Sequence, residues 1–192
     1  MTTDAEDLAA LHRSALDSTS RFVAGIGDDQ WTQPSPCEGW TVRDLLNHVV
    51  AGNLWAAELA SGRTIADVGT AFDGDVVGSD AVAAYDSSAK AAAAAFEAPG
   101  ALDAPCAVSY GPVPGSVYAG HRLLDVLIHG WDLASATGQP AELDPQLVAA
   151  CWDVVRPQLS LLQESGQFGV EEPGINDTNP QTSLLAALGR TG

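Results

Sequence analysis

The fold is decided by one stretch in the second half of the chain, Leu123-Leu124-Asp125-Val126-Leu127-Ile128-His129-Gly130-Trp131-Asp132-Leu133. Its composition is typical of an α-helix, and its apolar side chains at positions 124, 127, 128 and 131 form an arc that suits a core. Asp125 and His129 are four residues apart, so they lie one above the other on a neighbouring face. The stretch therefore predicts a core helix that carries a carboxylate and an imidazole side by side.

This pair of side chains has two interpretations. A carboxylate and an imidazole at this spacing can bind the same divalent cation. They can also form an exposed pair or a hydrogen-bonded set without a metal, because Asp and His at helical spacing are common. Two ligands do not make a site, so a metal requires a third ligand from another part of the chain.

Helical signals recur on both sides of this stretch. A capping box at Thr3–Glu6 starts a first helix that ends near Gly25, and further helices are predicted over about 42–61, 81–98 and 116–137. A fifth helix over about 145–165, which Pro157 should kink or split, and a short one over about 182–189 follow. Residues 101–116 are predicted to form either a short hairpin or an extended loop. Four long helices joined by loops of varied length predict an all-α fold, a helix bundle in a single domain spanning residues 1–192.

Composition narrows the classes of function. The chain has 192 residues, 46% of them apolar, with 25 acidic and 8 basic side chains and a net charge of -17. So acidic a chain repels nucleic acid and anionic membranes, and neither is expected as a partner. Three widely spaced cysteines without a CxxC pair predict free, buried thiols. With no signal peptide and no apolar run of about 18 residues, a cytoplasmic protein is expected, as a monomer or a homodimer.

His48 is the candidate third ligand. It lies on the second long helix, which Thr41 should cap, and this helix is expected to face the one that carries Asp125 and His129. Three protein ligands with open positions for water are typical of a catalytic metal site. Gly52, one turn after His48, either leaves open space for a substrate or allows close helix packing; the sequence favours neither.

Two motifs in this order also resemble a known family. They are Pro36-Cys37-Glu38-Gly39-Trp40-Thr41-Val42-Arg43-Asp44-Leu45-Leu46-Asn47-His48 and Asp125-Val126-Leu127-Ile128-His129-Gly130-Trp131-Asp132-Leu133-Ala134-Ser135-Ala136-Thr137-Gly138. They resemble the DinB-like metalloenzymes, in the actinobacterial branch related to the N-terminal domain of mycothiol-dependent maleylpyruvate isomerase. The resemblance spans nearly the whole chain.

The resemblance implies an up-down-down-up four-helix bundle with a divalent metal between its helices. It implies His48, Asp125 and His129 as the ligands, zinc as the metal, and mycothiol as a cosubstrate that attacks a small electrophile. The isomerase has Glu as its middle ligand, whereas this chain has the shorter Asp125. A His, Asp, His set also suits nickel, iron or manganese.

Five other residues are candidates for the surroundings of the site. Asp132 is expected either to hydrogen-bond a ligand imidazole or to pair with Arg122 or a backbone amide. Arg122 is a candidate to hold an anionic substrate. Trp55 and Trp131 either line the pocket or belong to the core, and His121 is expected at the pocket rim or in solvent.

Cys37 is not expected to be a nucleophile, because no histidine is near it in the local sequence and a packed thiol is the usual state.

Three functions are consistent with these residues. The first is a metal-dependent thiol transferase or isomerase that acts on a small-molecule substrate. The second is a non-catalytic metal-binding protein. The third is a helical interaction domain with a vestigial site. The open coordination positions favour the enzyme, but the sequence does not separate it from a protein that only binds the metal.

Overall fold

A computed structural model describes residues 5–158 and 178–190. The chain divides into two compact units, Met1–Ala141 and Glu142–Gly192. In chain order, the first unit contains α1 (Ala5–Ala24), α2 (Val42–Ala60), the single turn α3 (Ile65–Val68), α4 (Ala81–Glu97), strands β1 (Pro105–Val108) and β2 (Gly111–Pro114), and α5 (Gly115–Ala136). The organisation as a single domain stays a prediction.

The four long helices of the first unit form the predicted bundle. α1 packs on α5 and α4, and α2 packs on the same two helices from the other side. On α1, Thr19 hydrogen-bonds to Val126 of α5, and Phe22 accepts a hydrogen bond from Gln139, just after α5. The partners on both segments follow the same order along the chain, so α1 is parallel to α5. The contacts described below give the directions of the other two helices and complete the up-down-down-up order.

α2 and α4 are parallel, which requires the long connection between them. Arg43, in the first turn of α2, bonds to Asp75 and to the Gly78 carbonyl just before α4, whereas Asn53, farther along α2, bonds to Ser88. Against α1, α4 runs the other way, because Ser20 bonds to Asp86 and Arg13 to Glu97. α2 and α5 are antiparallel as well, because His48 lies next to Asp125, whereas Asn53, farther along α2, bonds to the earlier Arg122.

The predicted starts of α2 and α4 are confirmed. Thr41 and Asp44 form a capping box at α2, and Asp80 caps α4. The hydroxyl and carboxylate oxygens accept hydrogen bonds from backbone amides that the first helical turn cannot pair internally. Thr3, the predicted cap of α1, lies outside the described residues.

Residues 105–114 form a hairpin, so the first of the two predicted alternatives is correct. β1 pairs antiparallel with β2 around a turn at Ser109 and Tyr110, and Gly111 has a φ of 112°. Leading directly into α5, the hairpin leaves no side-chain cap for that helix. The carbonyls of Leu102 and Ala104 instead accept hydrogen bonds from Ser116 and Gly115.

α5 is buried more widely than the sequence predicts. Leu123, Val126 and Leu127 are fully buried, whereas Leu124, which was predicted to face the core, is only half-buried. The reason is that α5 packs against both α1 and α2, so its buried surface is wider than one arc and is displaced from the predicted one.

The second unit contains α6 (Pro145–Val155), a 3₁₀ turn at Arg156–Gln158, and α7 (Pro180–Ala187). α6 has Asp144 as its cap, and it gives way to the 3₁₀ turn next to Pro157, in agreement with the predicted break. Residues 159–165, the rest of the predicted fifth helix, lie outside the described residues. α7 begins two residues before the predicted start, because Asn179 caps it.

None of the helices described here has both the length and the apolar character that crossing a membrane requires.

His12, on α1, is a buried histidine inside the bundle. It is 0% exposed, its ring meets the edge of Phe96, and neither ring nitrogen has a hydrogen-bond partner among the described residues. Burial, together with the nearby Arg122 charge, lowers the pKa of His12 to about 3. The folded protein therefore holds this imidazole neutral.

This burial predicts a loss of stability in mild acid. In the unfolded chain His12 binds a proton below its ordinary pKa of 6.5, whereas the folded protein does not. Protonation of His12 in the unfolded chain should therefore lower the free energy of unfolding by about 2 kcal/mol as the pH falls from about 7.5 to about 5. The measurement is urea unfolding of the wild type and of His12→Leu across this range. If the free energy of unfolding fell equally with pH in both proteins, His12 would not be the cause of the loss.

Candidate metal centre

His48, Asp125 and His129 come together between α2 and α5, as the two motifs predict. His48 Nε2 lies 3.4 Å from Asp125 Oδ1, and His129 Nε2 lies 3.6 Å from the same oxygen. The two imidazole rings are 5.0 Å apart at an angle of 82°. His48 lies six residues after the start of α2, while Arg122 on α5 reaches Asn53 farther along α2, which makes these helices antiparallel.

The spacing of these atoms fits a metal ion. With bonds of about 2.1 Å, the ligand atoms of a tetrahedral zinc are about 3.4 Å apart. The three ligand atoms, one from each residue, all lie within 4.8 Å of one another. Exposure of the side chains falls from 38% for His48 through 28% for Asp125 to 14% for His129. The side of the cluster nearest His48 is thus open to solvent.

Asp132 fixes the orientation of the His129 ring. Its carboxylate is 0% exposed and lies 2.9 Å from His129 Nδ1. Because a carboxylate accepts hydrogen bonds, Nδ1 donates to Asp132, and Nε2 is the ring nitrogen left for a metal. Nε2 lies 3.6 Å from a carboxylate oxygen of Asp125, so both atoms are placed to bind the same cation.

Arg122 pairs with Asp125 inside the protein. The arginine is 7% exposed, and its guanidinium donates to Asp125 Oδ2 at 2.9 Å and to Asn53 Oδ1 at 3.3 Å. Burial by itself would raise the pKa of Asp125, but the Arg122 charge, with His48 and His129, outweighs it and holds that pKa well below its usual range. Asp125 is therefore ionised at neutral pH. Asp132 therefore has the His129 imidazole as a partner, as one of the three predicted alternatives has it, whereas Arg122 pairs with Asp125.

Gly52 makes room for this arginine. A Cβ atom at Gly52 would lie 2.5 to 2.7 Å from the Arg122 guanidinium. The hypothesis of open space for a substrate is thus wrong, because a buried side chain of α5 already fills that space. Close packing is the correct alternative, although the close contact is with a side chain and not with a helix backbone.

Cys37 lies beside His129 and Asp132 at this cluster, a position that was not predicted. Its Sγ is 3.8 Å from His129 Nδ1 and 3.5 Å from Asp132 Oδ2, and the residue is half-buried. The expectation of a buried thiol is therefore wrong for Cys37, although it is confirmed for Cys106 and Cys151. The histidine is 92 residues away in the sequence and is brought close only by the fold.

A tight turn before α2 places both Cys37 and Trp40. The amide of Ser35 bonds to the Trp40 carbonyl, that of Trp40 bonds to the Cys37 carbonyl, and Gly39 has a φ of 78°. Trp40 is 37% exposed, and its ring lies 5.1 Å from the His48 ring. Trp40 was not predicted to lie near the site, although its position in the motif that leads to His48 is a sequence signal for it.

The remaining candidates lie farther from the ligands. His121 is half-buried, one turn before Asp125, and its Nδ1 is 2.6 Å from the hydroxyl of Tyr110 at the hairpin turn. Burial lowers the pKa of His121. Trp131 is buried at 6% exposure, so it belongs to the core, and half-buried Trp55 packs against Phe72 at 5.7 Å.

Comparison with known proteins points to one family. Residues 12–134 match the model of the mycothiol maleylpyruvate isomerase N-terminal domain. Two uncharacterized proteins of Mycobacterium tuberculosis, from strains CDC 1551 / Oshkosh and H37Rv, are each 37% identical over 188 residues, 94% of this chain and 96% of theirs.

Two solved structures share the fold. They are the mycothiol-dependent maleylpyruvate isomerase, with a TM-score of 0.63, and a mutant of it, with a TM-score of 0.64. Each is 18% identical to this chain, and each match covers 87% of this chain and 74% of the solved one.

Proposed function

Because the chain belongs to the family of the mycothiol maleylpyruvate isomerase N-terminal domain, we propose that it is a divalent-metal enzyme that adds a thiol of the mycothiol type to a small electrophile, as a transferase or an isomerase. His48, Asp125 and His129 would hold the metal, and zinc suits their spacing best. The observation that carries the proposal is the convergence of His48 Nε2 and His129 Nε2 on one carboxylate oxygen of Asp125, at 3.4 and 3.6 Å. Nitrogen and carboxylate ligands also accept nickel, iron or manganese.

Each side chain has a separate part in this function. A bound divalent cation would supply Lewis acidity, which lowers the pKa of a thiol that reaches it. Asp132 holds the His129 ring in the tautomer that leaves Nε2 free of a proton. Arg122 keeps Asp125 ionised, so a carboxylate is available at neutral pH without prior loss of a proton.

The exposed side of the cluster would admit the substrates. His48 and Trp40 are both more than a third exposed, so a small thiol and an electrophile can approach from the side of α2. The Trp40 ring offers an apolar face beside the ligands, which would shield reacting groups from water on one side.

The metal site is tested by elemental analysis of the purified protein. We expect about one divalent cation per chain in the wild type, close to none in His129→Ala and clearly less than one in His48→Ala, because each variant leaves only two of these three ligands. His121→Ala is the matched control: this histidine lies on the same helix, one turn away, and its removal should leave the metal content unchanged. A wild type that cannot be loaded with zinc, nickel, iron or manganese would end the metalloenzyme proposal.

The chemistry requires a second measurement. The zinc-loaded protein is mixed with mycothiol and a small electrophile, and both the loss of free thiol and the conversion of the electrophile are followed against a blank and against His48→Ala. Thiol consumption by the loaded wild type supports a transferase, and conversion of the electrophile with the thiol regenerated supports an isomerase. Stoichiometric metal without either change would leave a metal-binding protein with no catalytic role.

A further inference from the structure

Cys37, His129 and Asp132 form a second group of potential ligands on the far side of the His129 ring. This group, the Cys37 cluster, combines a thiol sulfur, the Nδ1 nitrogen and a carboxylate oxygen, and these three atoms lie within 4.8 Å of one another. The sulfur is 3.8 Å from Nδ1 and 3.5 Å from Asp132 Oδ2. The proposed metal site uses the other ring nitrogen and neither Cys37 nor Asp132 as a ligand.

The dimensions of the cluster suit a tetrahedral ion bound partly by sulfur. With a metal–sulfur bond of about 2.3 Å and metal–nitrogen and metal–oxygen bonds of about 2.1 Å, the sulfur lies about 3.6 Å from each lighter ligand. The observed 3.8 and 3.5 Å agree with this value. The Nδ1–Oδ2 distance of 2.9 Å is that of a hydrogen bond, and two metal bonds in its place would widen it by about 0.5 Å.

The surroundings of the cluster also favour a cation. Asp132 is fully buried, and one of its carboxylate oxygens is directed at both of the other members of the cluster, Cys37 Sγ and His129 Nδ1. Half-buried Cys37 gives a route from solvent, because it lies in the turn that precedes α2. Thiolate ligands select thiophilic metals, whereas the His48 side of the ring offers only nitrogen and oxygen.

We propose that the Cys37 cluster is a second cation site, for a thiophilic divalent metal, and that it competes with the His48 site for His129. His129 lies between two carboxylates, Asp132 at 2.9 Å and Asp125 at 3.6 Å. A metal in the Cys37 cluster takes the Nδ1 lone pair. The ring proton then moves to Nε2, where it faces Asp125, and the Cys37 thiol releases its proton to water. One imidazole thus serves either site, but not both at once.

Cadmium is the probe that tests this site. Cd²⁺ added to the metal-free protein should produce the ultraviolet charge-transfer band of a cadmium thiolate and should protect Cys37 from alkylation, as read by peptide mass spectrometry. Both effects should be lost in Cys37→Ser and kept in Cys106→Ala. Cys106 and Cys151 are buried, and burial raises the pKa of both thiols, so neither should react in the folded protein.

His48→Ala separates this proposal from the proposed function. That variant loses a ligand of the first site and keeps all three of the second, so it should keep the cadmium band while failing to hold zinc at the first site. Asp132→Asn should weaken the band, with folding checked by circular dichroism. A wild type without the band, or a band that survives in Cys37→Ser, would overturn the proposal and leave Cys37 as a hydrogen-bond donor to Asp132.

Discussion

Replacing Arg122 with Met should destabilise the metal-free protein by about 3 kcal/mol and should make its stability depend strongly on added zinc. Arg122 is 7% exposed and provides the positive charge next to the Asp125 carboxylate at 2.9 Å. Removing the buried guanidinium takes away the nearest positive charge from a half-buried carboxylate, which is costly because only His48 and His129 remain beside it. A divalent cation can restore that charge, so the zinc-induced rise in melting temperature should be larger in Arg122→Met than in the wild type.

The pH dependence of this variant has a definite sign. In the wild type the pKa of Asp125 is held below its usual range, so the pair contributes stability above the unfolded pKa of 3.8 and loses it in stronger acid. In Arg122→Met the pKa of Asp125 rises, and its protonation removes the unpaired charge. The stability difference between the two proteins should therefore be largest near neutral pH and should shrink as the pH falls.

Arg43→Met is the control for this prediction. Arg43 also pairs with a carboxylate, that of Asp75, but both side chains are exposed, at 39% and 57%. Exposed ion pairs contribute about 0 to 1 kcal/mol. Urea unfolding in the presence of a chelator, repeated with zinc, measures all three proteins. An equal loss in Arg43→Met and Arg122→Met would show that burial of the pair is not the cause.

Replacing Gly130 with Ala should destabilise the bundle by about 2 to 3 kcal/mol and weaken metal binding as well. A Cβ atom at Gly130 would overlap Thr19 Oγ1, and it would lie 3.1 and 3.2 Å from Thr19 Cβ and Cγ2. Rotating the Thr19 side chain would move Oγ1 away and break its hydrogen bond to Val126, but Thr19 Cβ would stay at 3.1 Å, so α1 and α5 must still move apart. His129 directly precedes Gly130, and the displacement would shift its ring away from Asp125.

The double variant Thr19→Ala, Gly130→Ala tests the cause. Thr19→Ala alone should cost about 1 kcal/mol, since Thr19 donates a hydrogen bond to the Val126 carbonyl at 3.0 Å. Combined with Gly130→Ala, it removes the nearest clashing atom, so the double variant should be less destabilised than the sum of the two single variants. Alanine favours helix over glycine by about 1 kcal/mol. A net gain in stability for Gly130→Ala would therefore mean that the helices separate without cost.

The sequence predicts the residues that act along one helix better than those that meet across the fold. The capping box at Thr41 and Asp44 is a local pattern, and it appears in the structure as predicted. The Asp125 and His129 spacing follows from helix geometry in the same way. In contrast, Cys37 approaches His129 through the direction of a turn, which no periodicity encodes.

Gly52 shows a second limit of sequence reasoning. A glycine within a helix predicts that something approaches closely, but it does not say what approaches. In the structure it is the guanidinium of Arg122, a residue that the sequence suggested for substrate binding and that instead pairs with Asp125. Which side chain lies opposite Gly52 depends on how α2 is aligned along α5, and the spacing of residues within either helix does not predict this alignment.

The parallel pairing of the first and last bundle helices has a consequence for how the chain folds. Thr19 and Val126 are 107 residues apart, and His48 and Asp125 are 77 residues apart. Folding slows as contacts join more distant parts of a chain, so we expect slower folding than for a bundle of consecutive helical hairpins. During synthesis, no complete set of ligands exists until residue 129 has left the ribosome. A divalent cation held by His48, Asp125 and His129, as proposed, would therefore stabilise only a bundle that is almost closed, and it would not guide the first steps of its assembly.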